Sequence, residues 1–213
     1  MIQHADSALK IAEYLLQIKA VKLQPTKPFT WASGWKSPIY CDNRLTLSYP
    51  VIRTYIRQQF CKAIIDNYGK PDVIAAVATG GIAQGALVAQ ELGLPFAYVR
   101  SDAKKHGLTN QIEGHVGKGQ SVVVLEDLIS SGGSSLKAVT ALREVGCQIK
   151  GMVSIFTYDF KAAETNFKKA KCSTVSLCNY HALIEQALKQ NYIDEEDIAS
   201  LKKWREEPDN WKP

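Results

Sequence analysis

The fold of this chain is decided by residues 122–134, which read VVVLEDLISSGGS. Four apolar residues, Val122 to Leu125, are typical of a buried strand, and two carboxylates, Glu126 and Asp127, close it. A turn of Ser and Gly then opens the next helix. Ligands of open α/β sheets bind at such carboxyl ends of strands. The stretch therefore predicts a ligand site at the point where a strand gives way to a helix.

The turn that follows the acids has the composition of a phosphate-binding loop. Gly132 and Gly133 allow a close approach of the backbone, and the N–H groups at a helix N-terminus point at an anion. Ser130, Ser131 and Ser134 add hydroxyl donors. The nucleotide-binding P-loop needs Gly-Lys followed by Ser or Thr, and this tripeptide is absent from the sequence. The turn is predicted to hold one phosphate by a different arrangement.

The two acids admit two interpretations. Adjacent carboxylates at the end of an apolar strand are costly unless cations or donors meet them, and the two ring hydroxyls of a ribose would supply donors. Alternatively, Glu126 and Asp127 are solvated strand-end charges and the glycines only begin a helix. The order of strand, acids and loop favours the ligand site.

The rest of the chain follows an alternating pattern that predicts an α/β fold with a parallel sheet flanked by helices. An amphipathic helix is predicted over 7–19, before a segment of short strands and turns that we call the hood (29–44). The predicted strands are 72–77, 95–99, 121–127, 150–157 and one near 173–177. The predicted helices are 49–67, 81–92, 134–145, 162–170 and two near 180–189 and 195–206. We expect a single domain over 1–213, in which residues 1–47 contribute the first helix and the hood.

Composition narrows the class of protein. The 213 residues are 46% hydrophobic and 22% charged with a net charge of +5, which is too mild and too evenly spread for a nucleic-acid-binding protein and suits an anionic small substrate. Five cysteines without a Cys-x-x-Cys pair favour reduced thiols over disulfides or zinc. With no signal peptide and no long apolar run, the chain is predicted to be cytoplasmic, without a membrane partner.

Residues 100–114 form a basic segment without hydrophobic periodicity, which predicts a mobile surface loop. The segment carries Arg100, Lys104, Lys105 and His106 beside glycines. A basic loop that closes over an anion would exclude water and stabilise a departing pyrophosphate. The alternative is a solvated lysine-rich loop.

The hood reads FTWASGWKSPIYCDNR and mixes aromatic residues, small hydrogen-bonding residues and two cations. Such a surface suits a flat anionic base, although a simple strand-turn-strand packing motif fits the composition equally well.

Three segments resemble known motifs. Residues 122–134 resemble the phosphoribosyl-pyrophosphate motif of type I phosphoribosyltransferases. The hood pattern F-T-x-x-S-G-x-K-S-P-x-Y and the basic loop resemble the base-binding hood and flexible catalytic loop of the orotate phosphoribosyltransferases in particular. The resemblance implies the type I phosphoribosyltransferase fold with an N-terminal hood and a flexible catalytic loop.

The same resemblance implies a reaction. The phosphoribosyl group of 5-phospho-α-D-ribose 1-diphosphate (PRPP) is transferred to orotate, giving orotidine 5′-monophosphate and pyrophosphate in UMP biosynthesis. It also implies Mg²⁺ dependence without a dedicated set of protein ligands, and a homodimer whose subunits share active sites. A purine or xanthine phosphoribosyltransferase, or a non-catalytic PRPP-sensing regulator on the same fold, are the alternatives.

The resemblance also assigns roles to residues. The catalytic residues would be Arg100, Lys104 and His106. The PRPP-binding residues would be these three with Lys105, Glu126, Asp127, Leu128, Ile129, Ser130, Ser131, Gly132, Gly133, Ser134, Thr79, Gly80 and Gly81. The orotate-binding residues would be Ser130, Lys36 and Tyr158.

Four positions lack side chains that some family members carry: Ala32, Gly80 and Ser101 stand where a Lys occurs, and Tyr158 where an Arg faces orotate. The changes at Ala32, Gly80 and Tyr158 imply greater use of main-chain contacts, such as the N–H groups of residues 79–81 on pyrophosphate. The role of Lys105 stays open.

Overall fold

The computed structural model describes residues 2, 4–31, 34–100 and 111–211. The helices in this part of the chain are α1 (Ala5–Gln17), α2 (Pro50–Tyr68), α3 (Ile82–Leu92), α4 (Gly133–Glu144), α5 (Lys161–Lys169), α6 (Tyr180–Lys189), α7 (Asp197–Glu206) and a 3₁₀ helix (Asn43–Ser48). The strands are β1 (Val21–Leu23), β2 (Phe29–Thr30), β3 (Lys36–Ser37), β4 (Ile39–Cys41), β5 (Val73–Val77), β6 (Phe96–Val99), β7 (Ile112–Glu113), β8 (Ser121–Ile129), β9 (Gln148–Thr157) and β10 (Thr174–Asn179).

The main sheet has the strand order β10-β9-β8-β5-β6-β7. The first five of these strands run parallel, and only β7 pairs antiparallel, with β6. The predicted α/β fold with its parallel sheet is thus confirmed, with a short antiparallel strand added at one edge. The sequence did not predict β7, because two residues are too few to show a periodicity. After β5 the chain extends the sheet first to one side and later to the other, so the gap between β5 and β8 is a topological switch point.

Helices cover both faces of the sheet. Successive residues of its central strands point to opposite faces, so each strand contributes side chains to two cores. Val123 and Leu125 of β8 belong to the larger core, which also includes apolar residues of α1, α2, α3, α6 and α7. Val122 and Val124 belong to the smaller core under α4 and α5. All four side chains are fully buried, as the apolar run predicted.

The hood contains the antiparallel β2–β3 pair, and its strand β4 pairs antiparallel with β1, which precedes the hood. The β2–β3 hairpin is closed by the Trp31 N–H, which donates to the Trp35 carbonyl oxygen at 2.9 Å. The 3₁₀ helix follows β4 and is capped by Asp42, whose carboxylate accepts from the Arg44 N–H. The hood therefore leads directly into α2.

Most predicted element boundaries agree with the structure to within a few residues. One difference matters for the site: strand β8 continues past the acids to Ile129. It remains extended because Leu128 and Ile129 pair with Phe156 and Thr157 of β9. Within the described ranges, no helix has both the length and the apolar character needed to cross a membrane.

Candidate functional site

A cavity of about 440 Å³ opens at the topological switch point between β5 and β8. Three segments that are far apart in sequence meet there: the end of β5 with the turn after it, the end of β8 with the start of α4, and the end of the hood. The lining residues are Cys41, Asp42, Arg44, Val77, Ala78, Thr79, Gly80, Glu126, Asp127, Leu128 and Ser134. The structure thus brings six predicted PRPP-binding residues of β8, the loop after it and the 79–81 turn to one cavity, beside hood residues that had not been assigned a role.

Glu126 is the buried acid of the pair, with 6% of its surface exposed. Its Oε2 accepts a hydrogen bond from Ser135 Oγ at 2.8 Å, and its Oε1 accepts from the Asp127 N–H at 3.0 Å. Burial, followed by the neighbouring Asp127 carboxyl, raises the pKa of Glu126 to about 8. A carboxyl group that keeps its proton near neutral pH can both donate to and accept from sugar hydroxyls.

Asp127 is the more exposed acid and lies against the turn that follows β5. A Cβ atom at Gly80 would overlap the Asp127 carboxyl group, and one at Gly81 would come within 2.8 Å of the Leu125 carbonyl oxygen. The peptide bond between Ala78 and Thr79 is cis. Only glycines let this turn approach the end of β8 so closely.

The backbone N–H groups of residues 79–81 are not all free to bind an anion. The Gly81 N–H donates to the Val77 carbonyl oxygen at 3.0 Å. It is therefore already engaged, and the predicted main-chain contacts to pyrophosphate depend on Thr79 and Gly80. Both residues line the cavity.

The predicted phosphate loop is supported from behind by α5. Gly132 has a φ of +81°, the left-handed conformation that favours glycine, and a Cβ there would collide with the Phe167 ring. Asn166 Nδ2 donates to the Ser131 carbonyl oxygen at 3.1 Å. Ser131, Gly133 and Ser134 are exposed, so the open side of the loop remains accessible to an anion.

The hood contributes Asn43 and Arg44, neither of which the sequence reasoning singled out. Asn43 is buried, and its Nδ2 donates to the Asp127 carbonyl oxygen at 2.7 Å. Arg44 forms a bidentate pair with Asp42 at 2.7 and 3.0 Å, and this guanidinium lowers the pKa of the Asp42 carboxyl. No local pattern signals the Asn43 contact, because its partner lies 84 residues away.

The three predicted orotate-binding residues lie in different environments. Lys36 is exposed, and its Nζ donates to Thr30 Oγ1 at 2.8 Å. Tyr158 is buried, with its ring centroid 5.2 Å from that of Trp31 in the hood. Ser130 lies directly after β8 and is half-buried. The structure thus joins the hood to the turn after β9, while the roles of these residues stay predictions.

Arg100 directly follows β6, whose last residue, Val99, accepts from the Ala78 N–H of the turn after β5. Its Nη1 lies 3.5 Å from Glu113 Oε1, and its backbone pairs with Gln111 through the Arg100 N–H and the Gln111 carbonyl at 2.9 Å. Gln111 Nε2 also donates to the Arg100 carbonyl oxygen at 2.8 Å. Both ends of the predicted catalytic loop are therefore held at the edge of the sheet. The other catalytic-loop positions and Ala32 lie outside the described residues.

The chain is similar to known proteins in sequence and in fold. Residues 56–191 match the phosphoribosyl transferase domain family. The chain is 58% identical over 200 residues to the orotate phosphoribosyltransferase of Phocaeicola vulgatus, covering 94% of each protein.

Two solved structures resemble the fold. The orotate phosphoribosyltransferase of Aeropyrum pernix superposes with a TM-score of 0.75 at 26% identity, over 86% of this chain and 99% of that one. Leishmania donovani UMP synthase superposes with a TM-score of 0.78 at 25% identity, over 93% of this chain and 42% of that longer one.

Proposed function

The chain belongs to the orotate phosphoribosyltransferases, and from this we infer that it transfers the phosphoribosyl group of PRPP to orotate in pyrimidine biosynthesis. The predictions of the family, the transferase activity and the type I fold are confirmed by relatives that are 58% identical over nearly the whole chain. Those relatives do not support the purine, xanthine or regulatory alternatives. The observation that carries the reaction is the meeting of the paired acids, the 79–81 turn and the hood at one cavity.

We propose that PRPP lies along the carboxyl end of β8. Glu126 and Asp127 would contact the ribose hydroxyls, and residues 130–134 would surround the 5′-phosphate. The hydrogen bond from Ser135 to Glu126 and the accessible side of the phosphate loop support this orientation. Pyrophosphate would then extend toward Thr79 and Gly80, on the opposite wall of the cavity.

We propose that orotate binds between the hood and the turn after β9. Ser130, Lys36 and Tyr158 would form this subsite with main-chain groups of the hood. The ring contact between Trp31 and Tyr158 supports the proposal, because it places the hood directly over this turn. The flat surface of aromatic side chains suits a planar base.

The reaction needs positioning and charge stabilisation rather than a covalent nucleophile. A ring nitrogen of orotate attacks the anomeric carbon of PRPP as pyrophosphate leaves, through a transition state with oxocarbenium character. We propose that Arg100, Lys104 and His106, with Lys105, stabilise the departing pyrophosphate. The pairing of Arg100 with Gln111 supports this role, because both ends of the loop start from strand edges near the cavity.

We propose Mg²⁺ as the cofactor. The Asp127 carboxyl group, which lines the cavity, is a hard oxygen donor of the kind that Mg²⁺ prefers. In the part of the chain that the structure describes, no group of three or more His, Cys, Asp or Glu could hold a metal ion, so the remaining ligands would come from PRPP and water. When bound, Mg²⁺ would neutralise charge on the pyrophosphate.

We propose further that the whole chain is one domain, that it acts as a homodimer with shared active sites, and that it is cytoplasmic with neither a membrane nor a nucleic-acid partner. All five cysteines are free, which is the state expected in a reducing compartment.

A substrate comparison tests the reaction. The purified protein is given PRPP and Mg²⁺ with orotate, adenine, hypoxanthine or xanthine, and pyrophosphate release is measured together with the nucleotide formed. We expect release with orotate and formation of orotidine 5′-monophosphate, which stop when Mg²⁺ is chelated. Turnover of a purine with none of orotate would overturn the proposal.

A further inference from the structure

Two consecutive residues of α7 bind two segments of the proposed orotate subsite. Trp204 Nε1 donates to the Lys36 carbonyl oxygen of the hood at 3.2 Å, across 168 residues of sequence. Arg205 Nη1 donates to the Asp159 carbonyl oxygen at 3.1 Å, in the turn after β9. One turn of helix near the C-terminus is therefore bonded to both sides of the subsite.

The Trp204 indole is also the centre of an aromatic cluster. Its side chain is fully buried, and the rings of Trp31, Tyr158, Phe160 and Tyr180 lie 5.4 to 5.7 Å from it. Trp31 belongs to the hood and Tyr158 to the turn after β9. The indole thus fills the space between these two segments, and its N–H fixes the hood strand relative to the ring.

The turn after β9 has an unusual conformation that needs support. Asp159 has a φ of +55°, which L-residues rarely adopt. Its carboxylate accepts from Asn179 Nδ2 at 2.6 Å, and its N–H donates to Thr157 Oγ1 at 3.1 Å. The bond from Arg205 holds the remaining polar group of this residue, its carbonyl oxygen.

We propose that α7 sets the separation of the hood from the turn after β9, so that Trp204 and Arg205 are positioning residues for orotate. The inference rests on the proposed location of the orotate subsite. Neither residue lines the 440 Å³ cavity at β5 and β8. A change in either residue therefore acts on the base and leaves the binding of PRPP largely unaffected.

Two conservative variants and one matched control test this inference. Trp204→Phe keeps an aromatic ring but removes the N–H, and Arg205→Met keeps the length of the side chain but removes its donors. Tyr180→Phe is the control, because Tyr180 Oη donates to the Leu201 carbonyl oxygen at 3.0 Å, a bond that joins α6 to α7 and involves neither the hood nor the turn. All three variants lose one hydrogen bond made by or to α7.

The KM for orotate, the KM for PRPP, kcat and the thermal midpoint are measured for each protein. We expect the KM for orotate to rise about 3- to 10-fold in Trp204→Phe and Arg205→Met, as for the loss of one positioning hydrogen bond, while the KM for PRPP changes less than about twofold. Tyr180→Phe should lower the thermal midpoint but keep the orotate KM of the wild type.

The outcomes distinguish a failure of the positioning role from a failure of the proposed function. An unchanged orotate KM in both test variants would overturn the positioning role, and so would an equal rise in Tyr180→Phe, which would indicate general loosening. If Trp204→Phe does not fold, the partly exposed Arg205 carries the test alone. A wild-type protein without orotate turnover would instead refute the proposed function.

Discussion

Gly80 lies so close to the Asp127 carboxyl group that a single added carbon would occupy the same space. The two residues belong to opposite walls of the cavity, and the turn after β5 reaches the end of β8 only because residue 80 has no side chain. Some family members carry a Lys at this position. In this chain the Asp127 carboxyl group occupies the space that a side chain at residue 80 would need.

Gly80→Ala is expected to displace the Asp127 side chain and to lower kcat/KM for PRPP by about tenfold or more, with a small effect on stability because the carboxyl can rotate away. Steady-state kinetics and a thermal melt check this. Gly117→Ala is the matched control, since the atoms nearest to its added methyl group belong to the flexible Gln120 side chain, at 3.2 Å and beyond. Wild-type kinetics in Gly80→Ala would show that the position of Asp127 does not matter for PRPP.

Asn43→Ala is expected to raise the KM for PRPP and to lower the free energy of unfolding by about 1–3 kcal/mol, because it leaves the Asp127 carbonyl oxygen without its buried donor. Urea denaturation and initial rates measure the two effects. Asn67→Ala serves as the control, because Asn67 Nδ2 also donates to a backbone carbonyl, that of Ala63 at 2.8 Å, but within α2. Equal effects on the KM in both variants would contradict a specific role of the hood contact.

The raised pKa of Glu126 predicts a pH-dependent stability in the ligand-free protein. The unfolded chain releases this proton near the usual glutamate pKa, whereas the folded chain keeps it up to about 8. Folding is therefore favoured at low pH, and this contribution is lost as the pH rises from about 4.5 to about 8.

Glu126→Gln removes this dependence. Relative to the variant, we expect the wild type to lose roughly 3 kcal/mol of unfolding free energy between pH 5 and pH 8. Urea titrations of both proteins across this pH range give the difference between their free energies of unfolding. The contributions of the other titrating groups are the same in both proteins and cancel in this difference. A difference in unfolding free energy that does not change with pH, or a wild type that gains stability as the pH rises, would contradict the prediction.

Lys104→Ala tests the leaving-group role that the sequence assigns. We expect kcat to fall by about 100-fold, and substrate binding much less, because the Lys charge matters most when pyrophosphate departs. Single-turnover rates and equilibrium binding of PRPP separate the two effects. Lys70→Ala, an exposed lysine after α2, is the control. Near-wild-type turnover in Lys104→Ala would rule out this role.

Shared active sites predict rescue between two inactive variants. If the loop of one subunit completes the site of the other, a hybrid dimer of Lys104→Ala and Asp127→Asn contains one intact site of two. Co-expression in equal amounts should then restore about a quarter of the wild-type activity, since half of the dimers are hybrids. Activity no higher than that of the separate variants would show that each subunit uses its own loop.

The sequence by itself determined the fold class and predicted the donor site. The apolar run of β8, its two acids and the Ser-Gly turn are contiguous, so local periodicity and composition predict a strand, a ligand site and a helix N-terminus. The alternation of strands and helices predicted the parallel sheet in the same way. Short-range chemistry of this kind can be read from neighbouring residues.

Only the tertiary structure decided which long-range hydrogen bonds connect the segments around the site. Asn43 bonds to Asp127 across 84 residues and Trp204 to Lys36 across 168, and no periodicity relates such partners. Antiparallel β7 likewise becomes a strand only because β6 is there to pair with it. These contacts follow from the packing of complete elements, whose relative positions depend on the burial of the whole core rather than on any one segment.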